Sequence, residues 1–225
     1  MLAALTQDRE PDMTDQDPQV QLLLTGSEIM SGDTVDSNSA MIAQRLGELA
    51  IGVYRKVTLG DDLALLQAEL AAMTRSADLV IVNGGLGPTV DDLTAEMLAG
   101  VAGVPLEEHP EALAHLERWC AGRNLPLNAA NRKQALLPAG CRVLPNPIGS
   151  AGGFAMPVGD CQVMCTPGVP GELRAMLDGI VAELALQLAR PVERDILRLQ
   201  TFGLGESSAQ QIISDQVPDW PAEVE

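Results

Sequence analysis

Aromatic residues are scarce in this chain: two Trp, one Tyr and two Phe occur among 225 residues. Proteins that bind single-stranded nucleic acid stack its bases on aromatic side chains, and few such platforms exist here. Basic residues are scarce as well, with 14 Lys and Arg against 31 Asp and Glu and a net charge of −17. A surface of that sign repels phosphate backbones and anionic membranes, so we expect neither a nucleic acid nor a membrane as partner.

Long apolar runs and secretion signals are missing too. No apolar run approaches the ~20 residues that span a bilayer, and the N-terminus lacks a basic region followed by an apolar segment. Four cysteines are present, but Cys161 and Cys165 share a strand-like segment in which they lie about 13 Å apart, too far for one metal ion. Buried free thiols and a cytoplasmic location are therefore expected.

Aliphatic residues are plentiful by contrast. Hydrophobic residues make up 46% of the chain, enough for the core of one α/β domain. Apolar runs alternate with segments of helical spacing, which predicts βαβ units around a parallel sheet. The predicted strands lie at 20–25, 51–59, 78–83, 143–156 (a hairpin-like pair) and 162–165. The predicted helices lie at 39–50, 63–76, 107–122 and 128–138. Two more are predicted, one that begins directly after residue 92 and ends at about 100, and one that follows the last of these strands and ends at about 189.

The two ends of the chain differ from its middle. Residues 1–18 are acidic and contain two prolines but few apolar residues, so they form a predicted disordered tail. The main domain covers 19–190. Pro191 then breaks the pattern, and a strand at 195–202 and a helix from about Ser208 follow. We expect 191–225 to be a linker and the beginning of a truncated small α+β domain.

A glycine-rich segment follows the predicted strand 78–83. It contains Gly84, Gly85 and Gly87 and ends in Asp91 and Asp92. Glycine lets backbone N–H groups approach a phosphate closely, because no Cβ intervenes. The aspartates add oxygen ligands of the kind that a divalent cation prefers. The alternative is a structural turn in which an aspartate favours the start of the next helix.

Two other predicted strands end in a similar way. Glu28 follows the first strand, and Asp61 and Asp62 follow the second, where either is alternatively the N-cap of the next helix. Right-handed crossovers place these ends beside the glycine-rich segment at one edge of the sheet. Arg132 and Lys133 are adjacent and form either a solvated helix face or a cationic patch for a phosphate.

Six motifs together resemble one family. GSEIM at 26–30, TVDSN at 34–38, GGLGPTVDDLT at 84–94, NRKQA at 131–135, PNPIGSA at 145–151 and PGVPGEL at 167–173 are similar to the N-terminal domain of the competence/damage-inducible protein A (CinA) family. Their order and spacing make chance resemblance improbable. The resemblance implies a three-layer α/β/α molybdopterin-binding-type fold with a mostly parallel sheet. The family also carries a C-terminal nicotinamide-nucleotide amidase domain, and we expect that activity to be absent from these 225 residues.

The same resemblance implies metal-dependent hydrolysis of ADP-ribose to AMP and ribose 5-phosphate. We predict Asp92, Glu28 and Asp61 as catalytic residues, and Asp92, Glu28 and Glu172 as metal ligands. The predicted ligand-binding residues are Gly84, Gly85, Gly87, Thr89, Asn38, Arg132, Lys133, Pro167 and Gly168. The cofactor is a divalent metal, Mg²⁺ or Co²⁺, with K⁺ as a further candidate, and the assembly is a homo-oligomer. The alternatives are a molybdopterin- or nucleotide-binding module without hydrolysis and a scaffold for oligomerisation.

Overall fold

A computed structural model of the chain describes residues 18–188 and 202–216. The chain divides into two compact units, Met1–Pro191 and Val192–Glu225. All but one residue of the predicted tail at 1–18, and of the predicted strand at 195–202, lie outside the described residues. The elements are, in chain order, β1 (Val20–Thr25), α1 (Ser27–Ser31), α2 (Asn38–Gly47), β2 (Val53–Leu59), α3 (Leu63–Met73), β3 (Leu79–Asn83), α4 (Thr94–Ala102), β4 (Leu106–Glu108), α5 (Pro110–Ala121), α6 (Ala129–Lys133), β5 (Leu136–Pro138), β6 (Arg142–Leu144), β7 (Gly153–Val158), β8 (Cys161–Thr166), α7 (Pro170–Leu188) and α8 (Glu206–Gln216).

The main sheet has the strand order β2-β1-β3-β8-β7-β6. Strands β2, β1, β3 and β8 are parallel, whereas β7 and β6 are antiparallel additions at one side. Every residue of β1 and β3 is buried, which is why their sequences are nearly continuous apolar runs. The prediction of a mostly parallel sheet with a terminal hairpin is confirmed.

Helices cover both faces of this sheet. Successive side chains of a strand point to opposite faces, so Leu23 and Val82 pack in the core that includes α3 and α4. Leu22, Leu24 and Ile81 pack on the other face, in the core that includes α2 and α7. The two cores on either side of one sheet confirm the three-layer α/β/α fold.

Two helices are shorter than the sequence predicts because a separate pair of strands takes up part of each. The helix predicted at 107–122 begins only at Pro110, because Leu106–Glu108 pairs antiparallel with Leu136–Pro138 in a separate two-stranded sheet. The same pairing ends the helix predicted at 128–138 at Lys133. Proline fits the first turn of a helix, where its missing N–H costs nothing, and this property sets the start of α5.

The segment after β1 contains a short helix that the sequence pattern does not predict. Ser27–Ser31 forms α1 directly after the strand. Gly32 ends α1 in the left-handed conformation, with φ of 82°, which glycine adopts readily. Within the described residues, no helix combines the length and the apolar character needed to cross a membrane.

Candidate functional site

A cavity of about 570 Å³ opens at the carboxyl ends of the parallel strands. The loops that follow β1, β2, β3 and β8 line it, together with the start of α2 and the segment before β7. In open α/β sheets this edge is where ligands bind. The predicted convergence of the first three strand ends is therefore confirmed.

The structure brings most of the predicted site residues to this cavity. Its walls include Glu28, Asn38, Asp61, Gly84, Gly85, Gly87, Asp92, Pro167, Gly168 and Glu172. Thr89, Arg132 and Lys133 do not line it. The roles assigned to all of these residues stay predictions, whereas their placement is a structural finding.

The turn at Gly84 and Gly85 requires glycine at both positions. Gly84 has φ of +112°, and a Cβ there would lie 2.5 Å from the carbonyl oxygen of Thr25. Gly85 has φ of +65°, and its Cβ would lie 2.5 Å from Thr94 Oγ1. The Thr94 hydroxyl in turn donates to the carbonyl oxygen of Gly84 at 2.8 Å. The first turn of α4 and the end of β1 thus hold the glycine turn closed.

The amides of this turn divide into two groups. The Gly84 N–H donates to the carbonyl oxygen of Thr166 at 3.0 Å, so in this structure it already has an acceptor within the protein. The N–H groups of Gly85, Leu86 and Gly87 have no acceptor among the described residues. All three residues line the cavity. Consecutive backbone amides without a partner occur in the anion-binding concavities of other proteins.

Asp92 closes a turn rather than starting a helix. The Thr89 amide and hydroxyl both donate to Asp92 Oδ2, at 2.8 and 2.5 Å. The helix predicted directly after Asp92 is confirmed, because Leu93 is the N-cap of α4 and Thr94 is its first residue. Lys133 holds the turn from outside, because its Nζ donates to the carbonyl oxygens of Thr89 and, at 2.9 Å, of Asp92. It lines a second cavity of about 80 Å³ on that side.

Arg132 faces a different partner. Its Nε and one terminal nitrogen donate to the two carboxylate oxygens of Glu108, at 2.5 and 2.9 Å. The hydrogen bond from Arg132, and then its charge, lower the pKa of Glu108. This ion pair is solvent-exposed and ties α6 to β4.

The structure separates the two aspartates that follow β2. Asp62 Oδ1 accepts the Leu65 amide at 3.0 Å and is the N-cap of α3. Asp61 instead accepts the amide and the hydroxyl of Ser27, at 3.0 and 2.7 Å. It therefore joins the loops after β1 and β2 at the cavity wall. The sequence allows either aspartate to be the N-cap of α3, and the structure shows that Asp62 is.

An amide network lies beneath the cavity. Asn38 Nδ2 donates to Asn83 Oδ1 at 2.9 Å and to the Gly168 carbonyl at 2.7 Å. Asn83 Nδ2 donates to Thr166 Oγ1 at 3.1 Å and to the Pro167 carbonyl at 2.8 Å. Sequence reasoning did not single out Asn83, although one signal was visible: a polar amide ends an otherwise apolar strand. The network fixes three of the segments that form the cavity.

Comparisons with known proteins agree with this architecture. The family model described as a probable molybdopterin binding domain matches residues 21–187. A CinA-like protein from Colwellia psychrerythraea is 53% identical over 92% of this chain and 48% of its own length. A crystal structure of CinA from Thermoplasma acidophilum, 33% identical, superposes with a TM-score of 0.69 over 74% of this chain and 98% of that one.

The chain belongs to the CinA family of probable molybdopterin binding domains. A more distant structure, the molybdopterin biosynthesis enzyme MoaB from Thermus thermophilus, is 20% identical and has a TM-score of 0.51 over 77% of this chain and 98% of that one, which shows a shared fold. The chain spans about half the length of the curated CinA-like relatives that it matches. Any activity of those longer proteins can therefore only be proposed for this chain.

The CinA-type cavity in this chain is strongly acidic. Its walls carry six carboxylates, from Glu28, Asp36, Asp61, Asp91, Asp92 and Glu172, and none of the described residues that line it is Lys, Arg or His. An anionic ligand in this cavity therefore needs an accompanying cation.

Oxygen donors of this type suit a hard divalent cation. In the described part of the chain, no three His, Cys, Asp or Glu side chains form a metal-binding group. Mg²⁺, however, is commonly held by one or two carboxylates, water and the phosphates of a substrate. The residues present fit that mode, with Glu28, Asp61, Asp92 and Glu172 as the carboxylates predicted to take part.

Proposed function

We propose that the cavity binds a phosphorylated small molecule, a nucleotide or a pterin phosphate. The observation that carries this proposal is the set of unpartnered N–H groups at Gly85, Leu86 and Gly87, which line the cavity beside glycine Cα atoms. Such amides donate to phosphate oxygens without steric hindrance. Membership of a molybdopterin-binding-type family supports the same ligand class.

A second candidate function is hydrolysis of the pyrophosphate bond of ADP-ribose. The six carboxylates of the cavity favour it, because a site that only carried anions gains nothing from so much negative charge. A bound divalent cation would offset the pyrophosphate charge and supply an activated water. In this account the glycine turn binds the diphosphate, and Asp61 and Asp92, each fixed by hydroxyl or amide donors, present carboxylates at set positions.

Calorimetric titration and product analysis separate the two candidates. ADP-ribose and a phosphorylated pterin are titrated into the protein with and without Mg²⁺ or Co²⁺, and the mixtures are then chromatographed for AMP and ribose 5-phosphate. Cation-dependent binding without products supports the binding module, whereas cation-dependent AMP supports hydrolysis. No binding of either compound under any condition contradicts the proposal.

Asp92→Asn is the informative variant. Its amide oxygen still accepts from Thr89, so the turn is kept while one negative charge is lost. We expect roughly tenfold weaker cation-dependent binding, in the range found when the surroundings of a bound metal are altered. The matched control is Asp160→Asn, which removes an exposed carboxylate from the turn between β7 and β8. Equal binding by both variants would exclude Asp92 from the site.

A further inference from the structure

We propose that Asn146 is a positioning residue that orients the carboxylate of Glu172 in the ligand cavity. The orientation follows from the contacts of Asn146 alone. Its consequence for ligand affinity rests on the proposed function. Asn146 does not line the cavity, whereas Glu172 does. Asn146 therefore acts on a ligand only through Glu172 and the loop that it closes.

Every hydrogen-bonding position of the Asn146 side chain is used. Its Nδ2 donates to Glu172 Oε2 and to the carbonyl oxygen of Ala151, both at 2.7 Å. Its Oδ1 accepts the amides of Ile148 and Gly149, at 3.2 and 2.9 Å. The residue is only 1% exposed. An amide offers two donor hydrogens and two acceptor lone pairs, so the side chain has one orientation that satisfies all four partners.

Glu172 is held tightly by this arrangement. It lies in the first turn of α7, where a carboxylate is favoured by the helix dipole. A Cβ at Gly149 would lie 2.0 Å from Glu172 Oε2 and 2.3 Å from Asn146 Nδ2. The carboxylate therefore occupies the space that glycine leaves free. The contact with Asn146 uses Oε2, and Oε1 makes no hydrogen bond to the described residues.

The loop that carries Asn146 is anchored from its other side by α5. His115 Nε2 lies 2.9 Å from the Gly149 carbonyl oxygen. Trp119 Nε1 donates to the Ile148 carbonyl at 3.1 Å, and Arg123, which stacks on the Trp119 ring, donates to the same oxygen at 3.3 Å. These contacts hold the loop independently of Glu172. The Asn146 amide can then direct the carboxylate rather than follow it.

A donor–acceptor exchange tests this role without any ligand. Asn146→Asp keeps the oxygen that accepts the two loop amides but replaces the donor to Glu172 with a second acceptor. We expect the melting temperature to fall by about 5 °C, because two carboxylates then face each other and the hydrogen bonds from Nδ2 to Glu172 and to the Ala151 carbonyl are both lost. Adding Glu172→Gln supplies a new donor to the introduced carboxylate, and we expect it to restore the part of the loss that involves Glu172, while the Ala151 carbonyl stays without its donor.

The control is Asn128→Asp. Asn128 is exposed, and only its side-chain oxygen is used, which accepts the Asn131 amide as the N-cap of α6. The melting temperature of the Asn128→Asp variant should therefore equal that of the unaltered chain. If Glu172→Gln leaves the Asn146→Asp defect in place, Asn146 acts on the loop alone and the proposal is overturned. If Asn146→Asp does not fold, recovery of folded protein by the double variant supports the proposal and no recovery overturns it.

The consequence for the ligand is measured with ADP-ribose at saturating Mg²⁺. We expect Asn146→Asp to weaken its binding by roughly tenfold, as for other residues that orient a metal-binding carboxylate. Unchanged binding alongside a restored melting temperature overturns the effect on the ligand. If the unaltered chain binds neither ADP-ribose nor a phosphorylated pterin, the proposed function fails, and the melting experiment still decides the role of Asn146.

Discussion

Asn38 and Asn83 are bonded to each other beneath the cavity, with 2.9 Å between the donor Nδ2 of Asn38 and the acceptor Oδ1 of Asn83. This bond connects the start of α2 to the end of β3, and Asn83 extends the connection to the loop after β8. The cavity floor is thus a polar network inside an aliphatic core. Buried polar groups of this kind stabilise a structure only while every member keeps its partner.

Replacing Asn83 should therefore destabilise the fold. Asn83→Leu keeps a similar volume but removes the acceptor of one Asn38 donor hydrogen and the donor to Thr166 Oγ1 and the Pro167 carbonyl. We expect the free energy of unfolding to fall by roughly 1–3 kcal/mol, the cost of unsatisfied buried polar groups. Urea denaturation measures it. Gln44→Leu, an exposed amide on α2, is the matched control, and an equal loss there would contradict the account.

Lys133 should stabilise the turn that carries Asp92. Lys133→Met removes the donor to the carbonyls of Thr89 and Asp92. We expect exchange of the Thr89 and Asp92 amides, which are bonded within the turn, to accelerate by roughly tenfold, because charged hydrogen bonds contribute about 1.5–3 kcal/mol each. Arg132→Met is the control for exchange in this loop, since Arg132 contacts Glu108 instead. If exchange is the same in Lys133→Met and in the unaltered chain, Lys133 does not stabilise this turn.

The buried thiols should be unreactive in the folded chain. Burial, and then the negative charge of Glu107, raise the pKa of Cys141 to about 11. Burial, with Asp78 adding to it, raises the pKa of Cys161 to about 11 as well. Burial also raises the pKa of Cys165 well above its usual range. Ellman's reagent at about pH 8 should react with these thiols only after unfolding, because the thiolate is the reactive form.

The same raised pKa values make the stability of the fold depend on pH, with a loss of stability at alkaline pH. Above about pH 9, thiols of the unfolded chain lose protons that the folded chain retains, so the free energy of unfolding should fall as the pH rises from about 9 to about 11. Cys161→Ala should reduce this slope. A slope that stays the same in Cys161→Ala and in Cys141→Ala would contradict the assignment to these thiols.

Asp36 should stabilise the chain at neutral pH more than in acid. Burial would raise its pKa, but hydrogen bonds from the Ser39 hydroxyl and amide and the nearby Lys56 outweigh burial and lower it below 3.8. A lowered folded pKa gives stabilisation that is present above the unfolded pKa and lost as pH falls through the folded one. Asp36→Asn should therefore be less stable than the unaltered chain near pH 7, with the difference shrinking toward about pH 3.

Denaturant titrations at several pH values measure this difference. Asp160→Asn, which removes an exposed carboxylate, is the control and should change stability little at any of them. A constant deficit in Asp36→Asn across the acid range would show that the contribution of Asp36 does not depend on its ionisation.

The sheet and its order of elements could be predicted because burial on both faces leaves a clear pattern. β1 and β3 are continuous apolar runs, and each is followed by a segment with helical spacing. The pair β4–β5 could not be predicted, because strands of three residues exist only through their pairing with each other. The start of α4 could be predicted, but the turn closed by Thr89 and Asp92 just before it could not, because side-chain hydrogen bonds leave no apolar pattern in the sequence.

The site was predictable only where a loop follows a strand. Glu28, Asp61 and the glycine turn were found because parallel strands share one edge. Asn83 and Asn146 were missed, since their role depends on partners that lie 26 to 84 residues away in sequence. Arg132 and Lys133 were treated as one patch, but successive residues on a helix point about 100° apart, and the two side chains reach different partners.

The central claim is that the free amides of Gly85, Leu86 and Gly87 bind the phosphate of a small molecule. Amide chemical shifts in ¹⁵N-labelled protein, recorded while ADP-ribose is added with Mg²⁺, test it most directly. The account predicts large shifts at these three amides and a smaller one at Gly84, whose N–H is already bonded to Thr166. Saturable shifts confined to other parts of the chain, or none with either ADP-ribose or a phosphorylated pterin, would contradict it.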